Sequence, residues 1–282
     1  MRRSRKTDWM RRLVRENSLS SNDFILPIFV TEGKNKKIPI KTMPEVFRYS
    51  VDKLDQIVDR ALKLKIPMVA IFPQTNSGLK DSYGSEALNE NNLVCKAIRK
   101  IKDKYKNEIG IMTDVALDPY TSHGHDGILK NKRILNDETI EILIQQSLLQ
   151  AQMGSDVIAP SDMMDGRIGE IRQELDNNSL KDIKILSYAV KYASSFYGPF
   201  RDAVGSKKSL KGDKKTYQMD FSNSQEALRE VALDIKEGAD LVMVKPGLPY
   251  LDIIKKVKEN FKIPVLAYQV SGEYSLLMNG IN

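Results

Sequence analysis

Short apolar runs alternate with longer amphipathic stretches along most of the chain. Runs rich in valine, isoleucine, leucine and methionine predict strands buried on both faces. Seven runs have this character: 25–30, 68–72, 109–113, 156–159, 183–187, 239–244 and 265–268. The stretches between most of them have helical spacing, as in 137–153, where Ile140, Ile144 and Leu148 recur on one face. Strands that alternate with helices are typical of a parallel sheet built from βαβ units.

The length of the chain favours one barrel domain. It has 282 residues without a proline-, glycine- or serine-rich linker, and a (β/α)8 barrel typically takes about 250. We therefore predict an α/β fold, a (β/α)8 TIM barrel over residues 24–282, with residues 1–23 as a basic N-terminal arm outside it. An open doubly wound sheet is the alternative, but the sequence contains no GxGxxG phosphate loop to favour it.

Composition and charge exclude several classes of protein. The formal net charge is +7, but the lysines lie in amphipathic segments such as 96–106, which indicate solvated helix faces. A nucleic-acid-binding protein is therefore the disfavoured alternative, and the positive charge favours collection of an anionic substrate. No apolar run approaches the roughly 20 residues of a membrane span, and no signal-peptide core follows the basic N-terminus. With Cys95 as the only cysteine, we expect a cytoplasmic protein without disulfides.

A lysine at the end of a buried strand is the most informative chemical feature. The apolar run 241–244 leads directly into Lys245, and Pro246 and Gly247 then turn the chain. Desolvation after an apolar strand favours the neutral amine, which attacks ketones, so Lys245 is a candidate Schiff-base lysine. The alternative is an ordinary strand-end lysine whose ammonium reaches water.

A second lysine, Lys191, follows the fifth predicted strand. In a barrel, Lys191 and Lys245 come from adjacent strands and face the same mouth. Two close ammonium groups lower each other's pKa, and two amines suit a reaction between two carbonyl compounds. The alternative is that Lys191 is one surface lysine among many. Asp114 and Ser271 also lie at predicted strand ends.

The chain resembles the porphobilinogen synthase (5-aminolevulinate dehydratase) family. The matching segments are 114–127, 159–167, 191–202, 212–218, 243–252 and 270–274. The resemblance implies a homo-octameric lyase that condenses two 5-aminolevulinate molecules to porphobilinogen, with loss of two waters, in tetrapyrrole (haem) biosynthesis. It also implies roles for six residues. These are imine formation for Lys191 and Lys245, proton transfer for Asp114, binding of one substrate carboxylate for Arg201 and Lys214, and binding of the other for Ser271.

The same resemblance bears on metals. Zinc-dependent members have three cysteines where this chain has Ala116, Asp118 and Asp126. Thiolates select zinc, whereas carboxylates suit magnesium, so the resemblance implies the zinc-free, magnesium-responsive branch. Glu230 matches the family's allosteric magnesium residue, although an ordinary solvated glutamate is the alternative. Asp118 and Asp126 are either a magnesium site or hydrogen-bonding loop residues.

The family pattern continues beyond 270–274 with a helix, an eighth strand and a final helix. The sequence ends at residue 282, so we expect the last βα unit to be missing. The alternative function is accordingly a truncated, non-catalytic barrel remnant or an assembly component of the same family.

Overall fold

A row of parallel strands forms the centre of the computed structural model, which describes residues 2–204, 210 and 212–281. The strands are β1 (Ile25–Thr31), β2 (Lys37–Pro39), β3 (Phe47–Ser50), β4 (Met68–Gln74), β5 (Gly110–Val115), β6 (Ile128–Lys130), β7 (Arg133–Leu135), β8 (Val157–Pro160), β9 (Lys184–Lys191), β10 (Leu241–Lys245) and β11 (Val265–Ala267). The helices are α1 (Asp8–Leu13), α2 (Leu54–Lys63), α3 (Leu93–Tyr105), α4 (Asn136–Gln152), α5 (Arg167–Asn177), α6 (Gly198–Ala203), α7 (Gln225–Lys236), α8 (Leu251–Asn260) and α9 (Ser271–Ile281).

One sheet has the strand order β11-β10-β9-β8-β5-β4-β1-β3-β2, and β6 pairs separately with β7. The seven strands from β11 to β1 in this row are parallel to their neighbours. They coincide with the seven predicted strands to within a few residues at each end. The predicted α/β class with a parallel sheet is therefore confirmed.

Alternating side chains on each strand enter two different apolar layers. On β4, Val69 and Ile71 pack with residues of α2 and α3, whereas Phe72 points to the opposite side. There it shares a cluster with Tyr188 of β9 and Met243 of β10. The Phe72 ring also lies 6.2 Å from the ring of Tyr268, which directly follows β11 at the far end of the row. The sheet therefore curls, and this second layer fills the interior of a barrel-like sheet.

A groove of about 710 Å³ lies between the first and the last parallel strand. Its walls include residues 25–29 of β1 and 265–267 of β11. Helix α9 is hydrogen-bonded to the loop before β3. The Tyr274 hydroxyl donates to the Pro44 carbonyl, and the Ser275 hydroxyl donates to the Thr42 carbonyl, each at 2.6 Å. The expected absence of the last βα unit stays a prediction.

The predicted N-terminal arm contains α1, which has no buried residue. The side chains of Trp9 and Leu13 are 60% and 74% exposed. The boundary between arm and barrel at residues 23 and 24 stays a prediction. Within the described residues, none of the helices combines the length and the apolar character needed to cross a membrane.

Candidate active site

Two buried lysines end neighbouring strands. β9 and β10 are parallel and hydrogen-bonded, and their register sets Lys191 opposite Lys245. Each lysine is only 6% exposed. The structure therefore brings together, at the carboxyl ends of the strands, the two lysines that the sequence singled out.

Aromatic rings surround the Lys245 ammonium group. Its Nζ lies 4.5 to 5.5 Å from four ring centroids, those of Tyr188, Tyr197, Phe200 and Tyr268. Burial, followed by the positive charge of Lys191, lowers the pKa of Lys245 to about 7. A large share of Lys245 is therefore a neutral nucleophile near neutral pH.

Asp114, near the end of β5, supplies a carboxyl group beside these lysines. Desolvation raises the pKa of Asp114 to about 6, even though the charges of Lys245 and Lys191 oppose this shift. The pKa values of Asp114 and Lys245 therefore lie close together, near neutrality. A carboxyl group and an amine tuned in this way exchange protons readily at neutral pH.

Asp118 and Asp126 share one ammonium group. The Lys214 Nζ lies 2.8 Å from Asp126 Oδ1 and 3.4 Å from Asp118 Oδ2. Lys191 Nζ is 3.9 Å from Asp126 Oδ2 and also donates to the Ser161 carbonyl. Although burial opposes ionisation of Asp126, Lys191 and Lys214 hold the pKa of Asp126 at about 2. Burial instead raises the pKa of Asp118, so the two carboxyl groups differ in acidity.

Ser271 and Arg201 lie on the same side of the lysine site. Ser271 is 4% exposed, and its Oγ accepts the backbone N–H of Phe200 at 2.7 Å. Arg201 follows Phe200 on α6. Because the Phe200 ring contacts Lys245, the two candidate substrate-binding residues adjoin the cage around that lysine.

Sequence reasoning missed a buried carboxylate that fixes the loop after Lys245. Glu273 is fully buried and accepts the backbone N–H groups of Gly247, Leu248 and Val270 at 3.4, 2.5 and 2.6 Å. It thereby ties the turn after β10 to the start of α9, where Ser271 lies. In the sequence, only the position of Glu273 within the matching segment 270–274 could have indicated this role.

A buried ion network behind the lysines was also missed. Arg167 Nε lies 3.3 Å from Asp162 Oδ2, and Arg167 Nη1 lies 3.8 Å from Asp234 Oδ1. The Ser187 hydroxyl donates to Asp234 at 2.5 Å. The network connects α5 and α7 with the loop after β8, which carries the Ser161 carbonyl that Lys191 contacts.

We expect Arg167→Met to lower the free energy of unfolding by about 3–5 kcal/mol, because it leaves Asp162 and Asp234 buried without their counter-ion. Urea denaturation of the purified variant measures this loss. Arg133→Met, at an exposed position of β7, is the matched control and should change stability little. A loss below about 1 kcal/mol for Arg167→Met would show that the network contributes no more than a surface pair.

The candidate magnesium residues fall in two places. Asp118 and Asp126 lie in the lysine cluster, whereas Glu230 is half-buried on α7, where burial and then the charges of Asp234 and Asp165 raise its pKa. Among the residues that the structure describes, no group of three or more His, Cys, Asp or Glu side chains is arranged to hold a metal ion.

Comparison with known proteins places this geometry in a family. The model of the family described as delta-aminolevulinic acid dehydratase matches residues 1–282. The chain belongs to this family. A dehydratase from Bradyrhizobium diazoefficiens is 58% identical over 276 residues, which cover 98% of this chain and 78% of that protein. One from Methanothermus sociabilis is 51% identical and covers 100% of this chain and 87% of that protein.

A solved member of the dehydratase family has the same fold. The Toxoplasma gondii enzyme, also called porphobilinogen synthase, was crystallised with its reaction product porphobilinogen. It superposes with a TM-score of 0.94 at 44% identity, over 99% of this chain and 79% of that chain. The match agrees with the barrel-like curl of the parallel sheet.

Proposed function

We infer that this protein is a porphobilinogen synthase, a lyase that acts on 5-aminolevulinate in porphyrin and haem biosynthesis. It joins two molecules of this amino ketone into porphobilinogen, and one carbonyl oxygen of each substrate leaves as water. Membership in the dehydratase family supports this function. The observation that carries the mechanism is the side-by-side register of Lys191 and Lys245.

We propose that Lys245 and Lys191 each form an imine with one substrate ketone. The neutral Lys245 amine adds to the carbonyl carbon, and the resulting hydroxyl leaves as water once it is protonated. Asp114, with its pKa near 6, is suited to give and take these protons. Lys191 Nζ is instead engaged by Asp126 and the Ser161 carbonyl. Lys245 is therefore the better candidate for the first imine.

We propose that Arg201 and Lys214 bind one substrate carboxylate and Ser271 the other. Charge-assisted pairing with a carboxylate suits both cations. Lys214 already pairs with Asp126 and Asp118. A substrate carboxylate therefore has to bind the Lys214 ammonium together with these aspartates or displace them from it. The Ser271 hydroxyl lies beside the cage of Lys245 and suits a substrate bound there.

Assay of purified protein for porphobilinogen tests this function. We expect product to accumulate at half the rate of substrate loss, since two substrates make one product. A folded protein that forms no product at any substrate concentration would contradict this function.

We propose magnesium rather than zinc as the associated metal, with Glu230 as its residue. Burial, and then the nearby carboxylates of Asp234 and Asp165, raise the pKa of Glu230, and a divalent cation relieves the repulsion between these carboxylates. Magnesium commonly uses one or two carboxylates and several waters. At Asp118 and Asp126 the fit is poor, because the Lys214 ammonium lies against both carboxylates. Magnesium there requires Lys214 to move away.

We expect magnesium chloride to raise the melting temperature of the protein, and Glu230→Gln to abolish that rise because the amide loses the negative charge. Differential scanning fluorimetry at constant ionic strength measures the effect. Glu141→Gln, at an exposed position of α4, should respond like the unmodified protein. A zinc-selective chelator should leave activity unchanged. Stoichiometric zinc whose removal abolishes activity would contradict this proposal.

We further propose a cytoplasmic homo-octamer without nucleic-acid or membrane partners. Exposed apolar side chains on α1, including Trp9 and Leu13, support subunit contacts through the predicted arm. Sedimentation velocity of the purified chain tests the assembly.

A further inference from the structure

A polar pocket lies at the carboxyl ends of β1 and β4. Its volume is about 350 Å³. Among the residues that the structure describes, those that line it are all polar or charged: Thr31, Glu32, Lys36, Gln74, Thr75, Asn76, Ser77 and Lys80. None of them belongs to the aromatic cage of Lys245 or to the residues proposed above to bind 5-aminolevulinate. The pocket therefore needs a separate chemical explanation.

The two side-chain amides of this pocket have their oxygens already engaged. Gln74 Oε1 accepts the Thr31 hydroxyl at 2.9 Å, and Asn76 Oδ1 accepts the Gly78 backbone N–H at 3.1 Å. Each of these side chains also has an NH2 group, which only donates. Both side chains can therefore donate hydrogen bonds to a ligand.

Two further donors are buried without an acceptor. Among the described residues, neither Lys80 Nζ nor Thr75 Oγ1 has a hydrogen-bond partner. A buried polar atom left unpaired costs about 1–3 kcal/mol, and more when it is charged. Both atoms belong to side chains that line the same pocket, so one bound group with several acceptor oxygens satisfies both.

The charge of the lining favours an anion. Lys36 and Lys80 contribute two positive charges, and Glu32 is the one acidic residue among the lining residues that the structure describes. The threonine and serine hydroxyls of Thr75 and Ser77 also donate. A cation is disfavoured by two ammonium groups, and an apolar ligand would leave the donors unpaired.

We propose that this pocket binds a small oxyanion, either a carboxylate or phosphate. Lys80 and Thr75 are its principal ligands, and the amides of Gln74 and Asn76 add hydrogen bonds. The site is separate from the binding of 5-aminolevulinate by Lys245 and Lys191.

Equilibrium dialysis tests the proposal directly on the full chain. Radiolabelled inorganic phosphate and labelled acetate are titrated separately, with chloride keeping the ionic strength constant. We expect saturable binding of one ion per chain for at least one of the two. Saturation by phosphate alone identifies phosphate as the ligand class, and saturation by acetate alone identifies a carboxylate.

Three variants assign the bound ion to the pocket. Lys80→Met removes the charge, and Thr75→Val removes only the hydroxyl while preserving side-chain volume; each should weaken binding at least tenfold. Lys258→Met removes a charge at an exposed position of α8 and should bind like the unmodified protein. Melting temperatures confirm that each variant is folded, and Thr75→Val keeps the test valid if Lys80→Met does not fold.

Two results would overturn the proposal. The first is the lack of saturable binding of both ions. The second is binding that persists unchanged in Thr75→Val and in folded Lys80→Met, which would assign the ion to other cations such as Arg201. Neither result depends on whether the protein makes porphobilinogen, because binding is measured without substrate.

Discussion

Lys245→Met will abolish porphobilinogen formation and remove the adduct that borohydride traps at residue 245 with 5-aminolevulinate. Methionine matches the length of the lysine stem, so the aromatic cage keeps its packing while the nucleophile is lost. Removal of a covalent nucleophile commonly lowers kcat by about 10³-fold or more. Peptide mass spectrometry after reduction should find the adduct of the unmodified protein on residue 245.

The control for this experiment is Lys258→Met, which removes an exposed lysine and should leave both turnover and trapping intact. An adduct found only on other lysines of the unmodified protein would refute the role of Lys245. Trapping that persists at residue 191 in Lys245→Met, with turnover abolished, agrees with two separate imines. Turnover near the normal rate in Lys245→Met would refute the covalent mechanism altogether.

The strands and the pairing of the two lysines could be predicted because they depend on short-range patterns. Buried parallel strands are continuous apolar runs, and consecutive βα units place consecutive strands side by side. Lys245 directly follows one such run and Lys191 comes shortly after another, so their adjacency follows from strand order. In the structure Asp114 lies near the end of β5, and Ser271 is the first residue of α9, after β11.

The partners of the charged groups could not be predicted, because they depend on the paths of long loops. Lys214 meets Asp126 across 88 positions of sequence, and no local pattern encodes that contact. The sequence and the family resemblance imply a substrate carboxylate as the partner of Lys214, and either magnesium or loop hydrogen bonds for Asp126. They do not predict an ion pair between the two residues. In the same way, four aromatic rings surround Lys245. The sequence alone does not distinguish these aromatic residues from ordinary core residues.

Lys191→Met will also abolish turnover, but it will leave imine formation at Lys245 intact and shift its pH dependence. Burial is the first cause of the low pKa of Lys245, and the charge of Lys191 is the second. Removing Lys191 removes its repulsion of the Lys245 ammonium, whereas the burial of Lys245 remains. The pKa of Lys245 therefore rises above its value of about 7. The neutral amine is then scarcer at pH 7. Rates of borohydride trapping measured from pH 6 to pH 9 should have their midpoint at higher pH than in the unmodified protein.

Lys191→Arg separates charge from nucleophilicity in this prediction. The guanidinium stays protonated, so it preserves the repulsion on Lys245 while it removes the second amine. We therefore expect Lys191→Arg to be inactive with a trapping midpoint close to that of the unmodified protein, in contrast to Lys191→Met. If both variants keep the original midpoint, burial in the aromatic cage alone sets the pKa of Lys245. If either variant turns over at the normal rate, the reaction needs only one imine, and the side-by-side register of the two lysines serves another purpose.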